Sequence, residues 1–316
     1  MSAGIRPNKI GKSCAEVTLR ADGRVTDRLD MTDIGTGSYT ILTQVAADAM
    51  GLPPTAIIIE LGNSDFPKTT GSGGSLGAGS ACSAVYNACV ALCGVIAQAA
   101  SADARSPLYG AATSAIVFRD GRAAVANASE SLSDIGARSS PASLSAIGTI
   151  EPGGTYRLYS QNSHTAYFAE VQVDMDTAQV RARRVLGVFD AGRILNAKTA
   201  RSQLLAGMIW GLSASLHEEC VIDTRYGGFV NRDLAGYHFA ASADVPQIEV
   251  VMLDGVDHTI LIRLVAKASA NSPSAVRAQR LRTQSLMLPA SAFDRFRLRL
   301  KRSWSSFQID CALQSA

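Results

Sequence analysis

The sequence predicts an α+β fold of mixed sheets and helices. Apolar residues recur at helical spacing after Gly37, and Gly51 followed by Pro53 marks the end of that helix. The segments 166–173 and 179–188 have strand composition instead, and a short polar connection joins them. Both element types therefore occur in one chain of 316 residues, which is long enough to bury one large core or two smaller ones.

The other elements follow from local signals. Asp-Gly turns predict β-hairpins over Glu16 to Asp30 and Ala115 to Ala126, and the β-branched run Thr55 to Leu61 predicts a strand. A long helix follows Ser75, with an apolar face that includes Val85, Cys89, Leu92 and Ile96. The Ser- and Ala-rich stretch from Ser129 to Ser145 predicts a loop or short helix on the surface.

Composition indicates an ordinary globular protein. Hydrophobic residues make up 47% of the chain and charged residues 18%, which argues against disorder. We find no uninterrupted apolar run that predicts a membrane span, and the basic N-terminus has no apolar core after it, unlike a secretory signal. We therefore expect a cytoplasmic protein that does not associate with membranes.

The polar candidates for metal or nucleophilic chemistry are weak. The six cysteines lack clustered metal-ligand spacing, and the His217-Glu218-Glu219 sequence lacks the second histidine that a zinc protease helix needs. The turn Gly71-Ser72-Gly73 does not have the G-x-S-x-G spacing of a nucleophilic serine. We therefore predict no protein-ligated metal and no acyl-transfer site; the cysteines are Cys14, Cys82, Cys89, Cys93, Cys220 and Cys311.

Two glycine-rich turns are the main candidates for a binding site. The turn Gly35-Thr36-Gly37 and the loop Gly71-Ser72-Gly73-Gly74-Ser75 each precede a helical pattern. Backbone without side chains that leads into a helix N-terminus can hold an anion, because the amide groups and the helix dipole point the same way. Taken alone, such turns are also common as plain connections.

The amino-acid sequence around these turns resembles that of the large cofactor-binding subunit of the molybdenum hydroxylases, the xanthine dehydrogenase and aldehyde oxidase family. The stretch from Asp33 to Ser75 carries the resemblance, together with AGRILNAKTARSQ, which begins at Ala191. Thr36 stands where many members have glutamine, and Ala197 stands where proline is usual. The resemblance implies that the cofactor is bound by Gly35, Thr36, Gly37, Ser72, Gly73, Gly74, Ser75 and Gln203.

The resemblance also implies a function. The cofactor would be a molybdenum-molybdopterin dinucleotide, in its cytosine form, and the reaction would be hydroxylation of an aldehyde or N-heterocycle with oxygen from water. Iron-sulfur and FAD subunits would remove the electrons. A further N-terminal lobe of the family, which forms the other side of the site, has no counterpart in this sequence, so residues 1–260 would be a truncated molybdopterin-binding lobe.

The resemblance stops after Ile260. Here the family has a segment that ends in GIGEL, with a glutamate that acts as general base, but no glutamate follows Ile260 in this chain. When residues 261–272 are back-translated and read from the third base of each codon, permitted codons yield NPIGSKGIGEL, and residues 288–303 yield a second family segment in the same frame. We therefore interpret 261–316 as a frame-shifted, poorly folded tail and predict that the chain is inactive alone.

An alternative hypothesis assigns the tail a role of its own. Residues 261–316 contain ten Lys and Arg against two Asp, a net charge of +8, so the remainder carries −5. FRLRLKRSW alternates cationic and apolar residues, as a nucleic-acid or anion-binding segment does. In this hypothesis the protein is a non-catalytic binding protein, although out-of-frame translation also yields abundant arginine, and we consider nucleic acid the less favoured partner.

Overall fold

Two four-stranded sheets, each covered by helices on one face, organise the chain. The computed structural model describes residues 1–139, 144–153 and 158–253, so the boundary at Ile260 and the basic tail lie outside the described residues. The first sheet has the order β4-β3-β2-β8 and the second the order β1-β9-β10-β13. Their strands are β1 (Ser2–Pro7), β2 (Ser13–Leu19), β3 (Val25–Leu29), β4 (Ile57–Leu61), β8 (Leu144–Ile150), β9 (Asn162–Val173), β10 (Val180–Asp190) and β13 (Gln247–Leu253).

Four helices and two small sheets complete the described part. The helices are α1 (Ser38–Met50), α2 (Gly77–Ala102), α3 (Leu132–Arg138) and α4 (Ala197–Leu216). The small sheets contain β5 (Val117–Arg119), β6 (Arg122–Val125) and β7 (Ala128–Ser131) in one, and β11 (Ile222–Asp223) with β12 (Gly228–Phe229) in the other. The mixture of sheets and helices confirms the predicted α+β class.

The first sheet forms the larger core with α1 and α2. Burial alternates strictly along β2, where Ala15, Val17 and Leu19 face the helices. The α2 backbone lies directly on β8, because a Cβ added to Gly148 would lie 2.1 Å from the amide nitrogen of Ala88. Small residues on both elements permit this close approach, and it fixes the depth of α2 against the sheet.

The second sheet forms a smaller core with α4. Tyr167 of β9 and Phe189 of β10 meet edge to face, with ring centroids 5.6 Å apart. Leu204, Met208 and Leu212 of α4 complete the cluster at i, i+4 and i+8 positions. The strand β1 joins the edge of this sheet by pairing antiparallel with β9, which places the first residues of the chain beside the C-terminal half of the described fold.

Most predicted elements are confirmed, and two expectations are wrong. The short helix that was one alternative for residues 129–145 is confirmed by α3, but its expected surface position is wrong for Leu132 and Ile135, which are buried in the larger core. The expectation that no apolar segment could span a membrane is also wrong by length and composition. Among the described helices α2, with 26 residues, is long and apolar enough, but 61% of its most apolar window is buried inside the protein, as in a core helix.

One acidic side chain lies inside the larger core. Asp27 occupies an inward-facing position of β3, where it pairs with Val17 of β2, and its side chain is fully buried. Neither carboxyl oxygen has a hydrogen-bond partner in the described part of the chain. Burial raises the pKa of Asp27 to about 8, because the charged form would lose its hydration without compensation. The folded protein therefore carries a neutral carboxylic acid at this position at neutral pH.

This buried acid predicts a pH dependence of stability. Unfolded chains release the proton near the ordinary value of 3.8, whereas the folded chain keeps it up to about 8. The free energy of unfolding should therefore fall between these values as pH rises, by at most about 1.4 kcal/mol per pH unit, and then level off. Asp27→Asn should remove this slope in urea titrations, whereas Asp22→Asn in the exposed hairpin turn should retain it. Equal slopes in wild type and Asp27→Asn would contradict the prediction.

Candidate functional site

Three helix N-termini converge on one cavity between the two sheet units. The cavity has a volume of about 270 Å³, and its wall contains the residues that begin α1, α2 and α4. It is lined by residues 31, 34, 36, 38, 41, 72–78, 191, 193–196, 199, 200 and 203. Segments that are far apart in sequence therefore meet at one cavity.

The turn before α1 has a conformation that favours glycine. Gly35 and Gly37 have φ angles of 81° and 92°, in the left-handed region that other residues rarely adopt. The amide of Gly35 donates to Asp33 Oδ1 over 3.0 Å, which holds the turn. A Cβ on Gly37 would lie 2.9 Å from Cγ2 of Thr199, so this turn is in contact with α4. Thr36, between the two glycines, faces the cavity.

The loop before α2 is the second wall. Ser75 has a φ angle of 63°, a strained conformation for a residue with a side chain. Gly74 shares the left-handed conformation at 59°, whereas a Cβ on Gly71 or Gly73 would meet nothing within 4 Å. Packing among the described residues therefore does not require glycine at 71 and 73, and the space beside them is open in this part of the chain.

Asn196 ties the start of α4 to α1. Its side chain accepts a hydrogen bond from the amide of Thr199 at 2.9 Å, as the N-cap, and its Nδ2 donates to Gln44 Oε1 at 3.0 Å. One side chain thus holds the start of α4 against the middle of α1. Gln203 lies one helical turn beyond Thr199 and also lines the cavity.

The electrostatics of the cavity favour an anion. The first turns of α1, α2 and α4 contain no acidic residue, and neither α1 nor α2 has a side-chain cap for its amides. Arg193 is the one charged residue in the wall that the structure describes. Its guanidinium lies 3.9 Å from Asp48 of α1 and is half exposed. Three positive helix ends and Arg193, which Asp48 partly compensates, therefore face one space, and the described wall of that space contains no acid.

The structure brings most of the predicted site residues together. Thr36, Ser72, Gly73, Gly74, Ser75 and Gln203 all line the cavity. Gly35 and Gly37 do not line it themselves but flank Thr36 and set its position. Sequence reasoning missed Arg193 and Asn196, although both lie in the AGRILN segment that was already singled out.

No protein-ligated metal centre occurs in the part of the chain that the structure describes. No group of three or more His, Cys, Asp or Glu side chains comes together there. Cys82, Cys89 and Cys93 belong to α2, and burial raises the pKa of each thiol. His217 caps the C-terminal end of α4, while Glu218 binds the hydroxyl of Tyr237 at 2.7 Å. These side chains therefore contact neighbouring parts of the protein in the described structure.

Comparison with known proteins identifies the fold and its relatives. The molybdopterin cofactor-binding domain model matches residues 1–246. The chain is 43% identical over 257 residues to the aldehyde oxidoreductase molybdenum-binding subunit PaoC of Escherichia coli strain K12, covering 81% of this chain and 34% of PaoC. It is 26% identical over 249 residues to the putative xanthine dehydrogenase molybdenum-binding subunit XdhA of the same strain, covering 76% of this chain and 32% of XdhA.

Solved structures agree in fold. Quinoline 2-oxidoreductase from Pseudomonas putida 86 superposes with a TM-score of 0.73 at 22% identity, over 87% of this chain and 38% of that one. The aldehyde oxidoreductase from Desulfovibrio gigas gives a TM-score of 0.66 at 18% identity, over 92% of this chain and 31% of that one. The chain spans about a third of the length of the relatives it matches. The chain belongs to the family of molybdopterin cofactor-binding domains found in the molybdenum-binding subunits of aldehyde oxidoreductases and xanthine dehydrogenases.

Proposed function

We propose that this chain holds a molybdenum-bearing pterin dinucleotide in the cavity at the starts of α1, α2 and α4. One observation carries the proposal: three positive helix ends, two without side-chain caps, face one cavity whose described wall contains no acid. A molybdopterin carries a phosphate and a flat ring rich in hydrogen-bonding groups, and helix ends with free amides bind such anions. The donor set therefore fits the group.

Individual residues have distinct tasks in this proposal. The hydroxyl of Thr36 and the side-chain amide of Gln203, which both line the cavity, would hydrogen-bond the pterin. Gly73 would let the ligand approach the backbone closely. Ser75, in its strained conformation, places its backbone just before the N-terminus of α2. Asn196 holds α1 and α4 at a fixed separation through Gln44, which keeps the cavity open.

The bound group would supply two-electron redox chemistry that side chains lack. In the proposed reaction an aldehyde and water give a carboxylic acid, two protons and two electrons, and iron-sulfur and FAD subunits accept the electrons; an N-heterocycle would be hydroxylated with the same balance. PaoC, an aldehyde oxidoreductase subunit, supports the aldehyde class. We propose the cytosine form of the dinucleotide and a cytoplasmic complex, as the sequence resemblance implies.

We further propose that the chain is inactive alone. Proton abstraction by a positioned carboxylate contributes about 10²- to 10⁴-fold to such reactions. The sequence after Ile260 contains no glutamate, and its acids are Asp294 and Asp310.

Cofactor content tests the proposal. The full chain, produced in a host that makes the dinucleotide, should retain pterin with cytidine monophosphate released on acid hydrolysis, and should not reduce dyes when aldehydes are added. Gln203→Ala should lower the pterin per chain, by about tenfold if the lost hydrogen bond is charge-assisted. Gln98→Ala replaces an exposed glutamine on α2 and should leave the content unchanged. Wild-type protein without pterin, or equal loss in both variants, would contradict the proposed binding.

A further inference from the structure

A second cavity lies on the other side of the Gly71–Ser75 loop. Its volume is about 630 Å³, and it is lined by Arg6, Pro7, Lys9, Leu76 and residues 70–74. Ser72, Gly73, Gly74 and Leu76 belong to the walls of both cavities. The glycine loop is therefore a thin partition, with the proposed cofactor cavity on one side and two cationic side chains on the other.

The position of Arg6 is built into the second sheet. The strand β1 pairs with β9 so that Arg6 lies opposite Ser163, and the Ser163 hydroxyl donates to the Arg6 carbonyl at 3.3 Å. The guanidinium reaches back over the loop, where Nη2 lies 3.9 Å from the position of a Cβ on Gly74. Its Nε is buried and has no hydrogen-bond partner among the described residues.

The charges of this cavity are not compensated by the described part of the protein. Neither Arg6 nor Lys9 takes part in an ion pair there, although ten other ion pairs occur. Among the described residues, the cavity wall contains no acid. Asp30, which hydrogen-bonds the segment before this loop, accepts from the amide of Thr69 and pairs with neither cation. A partly buried guanidinium with an unused donor indicates a missing acceptor.

We propose that Arg6 and Lys9 form an oxyanion subsite that adjoins the cofactor cavity across the glycine loop. This inference rests on the proposed function. A guanidinium fork binds carboxylate and phosphate oxygens with the same planar geometry, and an ammonium adds a second charge at short range. Two sources supply such a group here: the carboxylate formed when an aldehyde is oxidised, and a phosphate of the dinucleotide.

Binding of simple anions to the full chain tests the subsite. Isothermal titration with inorganic phosphate and with benzoate, at about 0.15 M ionic strength, should give dissociation constants of about 1 mM or tighter for at least one of them. Arg6→Gln should weaken that binding by about tenfold or more, and Lys9→Gln by less, because Lys9 is exposed. Arg6→Lys keeps the charge without the fork and should give an intermediate value.

Arg24→Gln is the matched control. Arg24 is an exposed cation of the β2–β3 hairpin outside both cavities, and its loss should change the affinity less than twofold. Absence of anion binding in the wild type overturns the proposal, and so does an equal effect of Arg6→Gln and Arg24→Gln. Thermal melting of each variant identifies any loss of folding, and Arg6→Lys then serves in place of Arg6→Gln.

The two anions distinguish the source. Arg6-dependent binding of benzoate alone assigns the subsite to a carboxylate ligand, and Arg6-dependent binding of phosphate alone assigns it to the cofactor; both outcomes support the subsite. Gln203→Ala should lower pterin content but leave anion binding intact, since Gln203 lines only the other cavity. If the purified protein contains no pterin but binds anions in an Arg6-dependent manner, the proposed function is contradicted. The anion subsite is supported by that same result.

Discussion

Gly37→Val is expected to remove the pterin from the purified chain almost completely. The φ angle of Gly37 is 92°, and a β-branched residue in this region costs about 1–2 kcal/mol in backbone strain. A Cβ would also lie 2.9 Å from Thr199 Cγ2, so the turn would move away from α4 and Thr36 would move with it. Since 1.4 kcal/mol is tenfold in affinity, pterin per chain should fall by about tenfold or more.

The control is Gly35→Ala, and a compensating pair sharpens the test. Gly35 has a φ of 81° but nothing within 4 Å of its Cβ position, so alanine introduces strain without a clash and should retain more pterin. Gly37→Ala should be partly rescued by Thr199→Ser, which removes the contacting methyl group. Full pterin content in Gly37→Val, measured on protein with an unchanged melting temperature, would show that this turn does not shape the site.

Arg138→Met is expected to cause the largest loss of stability, about 3–5 kcal/mol in urea unfolding. Arg138 binds Glu130 and Asp103, and Glu130 is only 4% exposed. The other Glu130 oxygen accepts from the Ser106 hydroxyl at 2.6 Å. Removal of the guanidinium therefore leaves a buried carboxylate with a single neutral donor, and this cluster joins the end of α2 to β7 and α3.

Arg105→Met provides the matched comparison. Arg105 contacts the same Asp103 at 3.0 Å, but its side chain is 70% exposed, so its loss should cost about 1 kcal/mol or less. Glu130→Gln should recover part of the stability that Arg138→Met loses, because the buried charge is then absent. Equal destabilisation by the two arginine substitutions would contradict the assigned role of the buried pair.

Local signals in the sequence predict the elements of this fold well. Gly51 ends α1 in the left-handed conformation, with a φ of 60°, as its position after the apolar pattern predicts. The Asp-Gly turns produce the β2–β3 and β5–β6 hairpins because glycine supplies the positive φ that each requires. These features depend on residues close together in the chain, so periodicity and turn chemistry suffice.

Features that depend on distant residues could not be predicted this way. Leu132 and Ile135 lie in a segment of surface-like composition and are buried only because the β5–β7 sheet carries them to the core. The contact between Gln44 and Asn196 spans 152 residues, and no local pattern reports it. The described cavity wall, which contains no acid, forms only when three helix starts meet, although the resemblance implies six of its residues.

A crystal structure of the pterin-loaded chain, with data collected at the molybdenum absorption edge, tests the central claim most directly. We expect an anomalous molybdenum peak and pterin density inside the cavity between the starts of α1, α2 and α4, with the pterin in contact with Thr36 and Gln203. Density for the pterin at any other surface of the protein, with the helix-start cavity filled by water alone, would contradict it.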